Sequence, residues 1–229
     1  MNMNAMLIIS RAGPVGYIIM ALSIVALAVT IFKIIQFLLW RVGRHRRAIE
    51  ASGTWIRGDH QGGYAMVEDH PAPLSRILAH AMRGLTHGGA HFEDVKEDVG
   101  RVASEELRKL RSYVGLIEII GQLAPLLGLL GTVIGMIQAF ADLQNAGAVV
   151  NPATLAGGIW TALLTTALGL AVAIVFSSVT SWFDARIERE RSMMETTLTG
   201  FLANRITDEQ ARDFDEVTAV PVGRKAHAH

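Results

Sequence analysis

Three threonines, Thr161, Thr165 and Thr166, stand in the otherwise apolar stretch WTALLTTALGL at residues 160–170, and a fourth, Thr132, stands in GTVIG. A hydroxyl at membrane depth has two uses. It bonds back to the carbonyl one turn earlier at little cost, or it lines a polar path through the apolar medium. A proton path also needs groups that titrate, and an ionisable residue inside a membrane is a functional candidate by default. The apolar runs of this chain, about Val15–Trp40, Val114–Phe140 and Thr154–Phe183, contain only two charged residues, Glu118 and Lys33. Glu118 falls about one turn inside its run. It reads either as an interfacial carboxylate paired with Arg111 or a neighbour, or as part of an ion path. Lys33 is long enough to snorkel to the inner surface. No carboxylate stands near Thr132 or Thr166, so these hydroxyls have no mid-membrane charge carrier of their own.

Other chemistries find no support. The chain has no cysteine, which excludes disulfides and cysteine metal sites. Its eight histidines, His45, His60, His70, His80, His87, His91, His227 and His229, are expected to be solvated loop residues. His87 and His91 are four apart, but Gly88 and Gly89 between them argue against a helical metal face. There is no phosphate loop and no nucleophile elbow, so neither a metal, a cofactor nor an enzyme is expected. A net charge of zero gives no reason to expect nucleic acid.

The elements that must position the hydroxyls are membrane helices. The 229 residues are 51% hydrophobic and 18% charged, with a mean hydropathy of +0.34, which leans towards a membrane protein. Three runs exceed the roughly 20 residues that cross a bilayer. They predict an all-α integral membrane protein with spans at 15–40, 113–142 and 154–183. The first run is too long for a signal peptide and no small-residue cleavage site follows it, so it reads as a retained anchor.

Cations flank one side of each span: Arg41, Arg44, Arg46 and Arg47 after the first, Arg108, Lys109 and Arg111 before the second, and Arg186, Arg189 and Arg191 after the third. By the positive-inside rule the N-terminus faces out and the C-terminus in. Trp40, Tyr113 and Trp182 then sit near the inner boundary, and Tyr17 and Trp160 near the outer one. Residues 1–14 become an outward N-terminal segment and 143–153 an outward link. Residues 41–112 become a cytoplasmic helical segment with short helices around 43–57 and 74–86. From His91 the pattern is helical without a strong breaker, which predicts one helix running straight into the second span, roughly 75 Å in all. Residues 184–205 read as an amphipathic extension of the third span, and 206–229 as a disordered tail.

Both later spans carry a stripe of small residues at helical spacing. In the second it runs Gly121, Pro125, Gly128, Thr132, Gly135, Ala139. In the third it runs Gly158, Ala162, Thr166, Gly169, Ala173, Ser177. Such stripes let membrane helices approach closely, and Gly131–Gly135 is a G-x-x-x-G pair. Alternatively they line an interior surface with Thr132 and Thr166 as a belt of hydroxyls. Two small faces cannot both be buried within three helices, which predicts a ring-forming homo-oligomer.

The motifs APLLGLLGTVIGMIQAF and LAGGIWTALLTTALGLAVAI resemble the ExbB/TolQ/MotA family of proton-channel motor subunits, over roughly residues 75–205. Three spans favour the ExbB/TolQ branch. The resemblance implies a pentamer in the bacterial inner membrane. Its lumen would enclose the helices of an ExbD/TolR-like single-span partner with an intramembrane Asp, which would carry the proton. The assembly would drive a TonB- or TolA-like protein, most readily to energise outer-membrane transport. It also implies that Thr132 and Thr166 are the pore threonines, with Thr161 and Thr165 as further candidates. Thr165, off the stripe, is expected to back-bond or to face the neighbouring helix. Thr161 stands where ExbB and TolQ sequences carry a glutamate, five residues before the pore threonine, which leaves room for a divergent paralogue serving another envelope system, TolQ-like, gliding or other. The competing class is a passive scaffold or assembly subunit whose stripes only pack helices.

Overall fold

The computed structural model describes residues 13–86, 92–145 and 152–218; of residues 145, 152, 154 and 204–218 only the backbone is described. The expectations for residues 1–12, for His87 and His91, for residues 146–151 and for residues 219–229 lie outside these. Among the described residues there are seven helices and no strand: α1 Gly13–Leu39, α2 Arg46–Ile56, α3 His60–Ala65, α4 Pro73–Thr86, α5 Phe92–Arg111, α6 Val114–Asn145 and α7 Pro152–Thr218. Of the described residues, those up to Leu39 and those between Arg108 and Ile187 form one compact unit; those between Trp40 and Leu107 and those from Glu188 to Thr218 form a second.

The first unit is the membrane unit. Gly13–Leu39, Val114–Gln144 and a stretch within Leu155–Ala203 are each long and apolar enough to cross a bilayer. Leu38, Leu126, Ile137, Leu163 and Ile174 are exposed on these helices, a surface only lipid or partner helices can cover. Tyr17, Tyr113, Trp160 and Trp182, all near span ends, are exposed as well. Helix α1 packs against α6 and buries Ile19, Ala26, Thr30, Lys33 and Phe37.

The single long helix expected from His91 onward is interrupted. Tyr113 takes φ +64 between α5 and α6, a left-handed conformation that a regular helix cannot contain. Ending α5 there leaves its last carbonyls without helical partners. Ser112 Oγ donates to the Lys109 carbonyl at 2.7 Å. Lys33 Nζ, reaching from α1, donates to the Leu110 carbonyl at 2.8 Å and to Gln36 Oε1 at 2.8 Å. Lys33 is fully buried. The expectation that it snorkels to the surface is therefore corrected: the ammonium is buried against the carbonyl end of α5, the negative end of a helix, which attracts a cation.

The extramembrane unit is built from amphipathic faces at helical spacing. Helix α2 gives Ala48, Ala51 and Trp55; α4 gives Leu74, Ile77, Leu78, Ala81 and Met82; α5 gives Val95 and Val99; the distal part of α7 gives Met194, Leu198 and Phe201. Together they form one core. Gly58, just after α2, holds φ +97, the left-handed C-terminal cap that glycine supplies without a Cβ penalty. Asp59 caps α3 by accepting from the Gly62 N–H at 2.8 Å. Arg76 pairs with the buried Glu106 at 3.1 Å.

Two further expectations are corrected. Helix α7 continues through Thr218 rather than ending near 205; the sequence TDEQARDFDEVT contains neither glycine nor proline to stop it. The histidines of this unit are not simply solvated. His70 is buried, His60 stacks on Trp55, His45 Nε2 lies 2.8 Å from the buried Glu190 carboxylate, and His80 bonds Asp98. The hydrogen bond from His80, with help from Arg101, holds the Asp98 carboxyl below its ordinary range.

Candidate functional site

The two small-residue stripes face each other within one chain. Gly121 lies against Ser177, Gly128 against Thr165 and Thr166, Gly135 against Ala162, and Gly158 against Ala139. Rising numbers on α6 meet falling numbers on α7, so the helices run antiparallel. A Cβ on Gly169 would stand 2.5 Å from the Ala124 carbonyl oxygen and 3.1 Å from Gly128 Cα. Backbone thus meets backbone, the closest approach two helices make and the reason small residues are required. Gly131, absent from the stripe read in the sequence, takes the Thr165 methyl; the G-x-x-x-G spacing with Gly135 was its signal. Pro125 lies inside α6 and removes the N–H that would have paired with the Gly121 carbonyl. Ala139, Ala162 and Ala173 are buried. The premise that three helices cannot bury both small faces is therefore corrected: the faces bury one another, because small side chains on both sides let the axes close up.

The threonines take different roles along this seam. Thr166 Oγ1 donates across it to the Gly128 carbonyl at 2.8 Å. Thr165 is 1% exposed and its hydroxyl donates back to the Thr161 carbonyl at 3.0 Å, so it both back-bonds and faces α6. Thr161 Oγ1 donates back to the Gly157 carbonyl at 3.0 Å. Thr132 Oγ1 turns onto the Leu129 carbonyl at 2.6 Å, and the residue lines an open groove of about 580 Å³ with Val133, Met136, Ile137, Phe140 and Gln144. Among the described residues no hydrogen bond joins Thr132 to Thr166. Glu118 is exposed and accepts from Gln122 Nε2 at 3.3 Å, a neighbour one turn on and not Arg111.

The hydroxyls can orient water or a partner's polar group, but they cannot hold a charge near neutral pH. Groups of three or more His, Asp or Glu able to hold a metal are absent among the described residues. The site is a hydroxyl-bearing seam in an apolar helix pair, with one hydroxyl aimed across the seam and another opening on a groove.

These features define a class: a multi-pass helical membrane subunit with a close-packed, hydroxyl-bearing helix pair and an extramembrane helical unit. Comparison with known proteins narrows it. The profile of the MotA/TolQ/ExbB proton channel family matches residues 69–196, more than half of the chain, and the chain belongs to that family. It is similar to a protein named as an ExbB homolog in Methanothermobacter thermautotrophicus, 30% identical over 203 residues, 86% of this chain and 70% of that one. It is similar to the biopolymer transport protein exbB1 of Vibrio cholerae, 28% identical over 183 residues, 80% of this chain and 78% of that one. A biopolymer transport protein ExbB of Salmonella typhimurium is 30% identical over 135 residues, 57% of this chain and 53% of that one.

Proposed function

We propose that this chain is the ring-forming stator subunit of an inner-membrane motor, with its N-terminus outside and its C-terminus in the cytoplasm. With an ExbD/TolR-like single-span partner it couples the proton motive force to work on a TonB- or Tol-type protein, most directly energising outer-membrane transport. Relatives named for biopolymer transport support the envelope role. The pentameric ring rests on the family resemblance alone, since the two small faces satisfy each other within a subunit.

The observation that carries the reading is the Thr166 hydroxyl, held at 2.8 Å to the Gly128 carbonyl in a membrane helix without charge from Thr154 to Phe183. Thr132 on its groove is the second hydroxyl of the path. No carboxylate accompanies them, so the partner's intramembrane Asp carries the proton. Desolvation raises the pKa of a buried carboxyl, and threonine hydroxyls that donate to the Asp at one stage of rotation lower the cost of ionising it. The test is proton flux into liposomes holding this chain alone, with its partner, or with the partner's Asp changed to Asn. Flux is expected only with the unmodified partner; equal flux from the chain alone defeats the reading and turns attention to Glu118.

One observation favours a second reading, a passive scaffold: the stripes pack against each other, which accounts for Gly121, Gly128, Gly135, Gly158 and Gly169 without a lumen. A Thr166→Val protein that assembles and supports full work would favour it.

A further inference from the structure

Arg41 is two residues beyond the end of α1, at most about 7.6 Å along the chain from the last residue of the span. From there the chain makes a tight turn. Arg41 takes φ +49 and Gly43 φ +90, and Arg44 N–H closes onto the Arg41 carbonyl at 3.1 Å. The turn is pinned from inside its own unit. The Glu190 carboxylate, 1% exposed, accepts from the Gly43 N–H at 2.9 Å and meets His45 Nε2 at 2.8 Å through the same oxygen. A left-handed arginine costs backbone energy that surrounding contacts must hold in place.

The pinned turn and the start of α2 wall a concavity of about 950 Å³ lined by Arg41, Arg44, Arg47 and His70 among others. Arg46 lines it too but is engaged by Glu50, the one carboxylate in the lining, at 2.8 Å. Arg41, Arg44 and Arg47 have no side-chain carboxylate partner among the described residues. Three unpaired guanidiniums converging on one hollow repel one another, and they reach the neighbouring imidazole. Burial, then Arg47, Arg41 and Arg44, hold His70 below its ordinary pKa. The positive-inside rule asks only for cations near a span end. It does not ask that three of them share a cavity whose size matches ligand sites of roughly 300–1,000 Å³.

We infer that this cavity binds the phosphate headgroup of an anionic phospholipid at the membrane boundary, with Arg41, Arg44 and Arg47 as its ligands. Guanidinium forks match phosphate oxygens bidentately. The volume exceeds what a lone phosphate needs and suits a phosphodiester with its glycerol. Arg41 is chained within two residues of the first span, and beside the end of a span phospholipid is far more concentrated than any soluble phosphate ester.

Native mass spectrometry of the full-length protein in neutral detergent tests this, titrating phosphatidylglycerol or phosphatidylcholine of the same acyl chains. The expected result is retention of phosphatidylglycerol in preference to phosphatidylcholine. In Arg41→Gln/Arg44→Gln/Arg47→Gln that retention should fall by roughly a hundredfold, since each basic residue near an anionic headgroup contributes about fivefold. The matching triple Lys variant keeps the charge, guards against misfolding as the cause, and should still prefer phosphatidylglycerol. Arg108→Gln/Arg111→Gln, which removes boundary cations outside the cavity, should bind like the wild type. Unchanged retention in the triple Gln variant overturns the site. Equal loss in the Arg108/Arg111 variant reduces it to diffuse charge, and displacement of the lipid by equimolar glycerol 1-phosphate makes it a soluble phosphate site; both defeat the lipid assignment.

Discussion

The Thr166 hydroxyl and the Gly128 carbonyl meet at 2.8 Å across two antiparallel membrane helices, while the adjacent Thr165 hydroxyl folds back to the Thr161 carbonyl of its own helix. Neighbouring residues of one type thus do different work, because a step of one residue turns a side chain by about 100° around a helix. Thr166→Val removes the donor and keeps the shape. Polar contacts between membrane helices average about 0.6 kcal/mol, so the fold should survive. Proton-driven work should fall about tenfold, equivalent to about 1.4 kcal/mol of barrier, and Thr166→Ser should stay near wild type. Activity measured at matched protein levels decides it: full work by the valine protein and loss in the serine protein would make shape, not the hydroxyl, the requirement.

Gly169→Ala should damage the helix pair, because the new methyl meets the Ala124 carbonyl and Gly128 Cα, both backbone, which cannot turn aside as a side chain does. Overpacking of this kind costs about 1–3 kcal/mol. Gly157→Ala, with nothing within 4 Å of the added carbon, should be silent and gains helix propensity. Thermal unfolding of both variants in the same detergent separates them.

Lys33→Met should destabilise the membrane unit by about 1–3 kcal/mol, the cost of leaving a buried polar group unpaired, since the Leu110 carbonyl loses its 2.8 Å donor. A lysine that merely snorkelled would lose little on the same change. Unfolding midpoints for Lys33→Met against Lys→Met at the exposed Lys96 are the comparison; equal, small shifts would remove the capping role.

His70 gives a pH dependence whose sign can be worked out. Its folded pKa lies below the ordinary 6.5, through burial first and the charges of Arg47, Arg41 and Arg44 next. Its Nδ1 accepts from the Ala72 N–H at 3.4 Å, which a protonated ring cannot do. The neutral form therefore belongs to the folded state. This stability is fully present above pH 6.5, begins to be lost as the unfolded chain takes up its proton there, and is gone once the pH falls through the lower folded value. His70→Gln should flatten that part of the melting-temperature profile between pH 7 and 5. An unchanged slope would show that other groups govern it.

The three spans were written in the sequence, because hydropathy over about 20 residues is a local property that the bilayer reads directly. The small-residue stripes were legible for the same reason: helical spacing alone brings Gly121, Gly128 and Gly135, or Ala162, Thr166 and Gly169, to one side. So was the back-bonding of Thr165, which needs only its own preceding turn. What the stripes face is not local. That Gly169 touches Ala124 and that Thr166 donates to Gly128 depends on which helix lies alongside and in what register, and only packing selects these. Lys33 shows the limit clearly. Its position near a span end allowed an outward reach to water, but the left-handed Tyr113, eighty residues away, frees carbonyls that draw it inward. The hollow walled by Arg41, Arg44 and Arg47 is of the same kind. The sequence determined that arginines follow the first span; the turn held by Glu190, from the far end of the chain, decided that they converge.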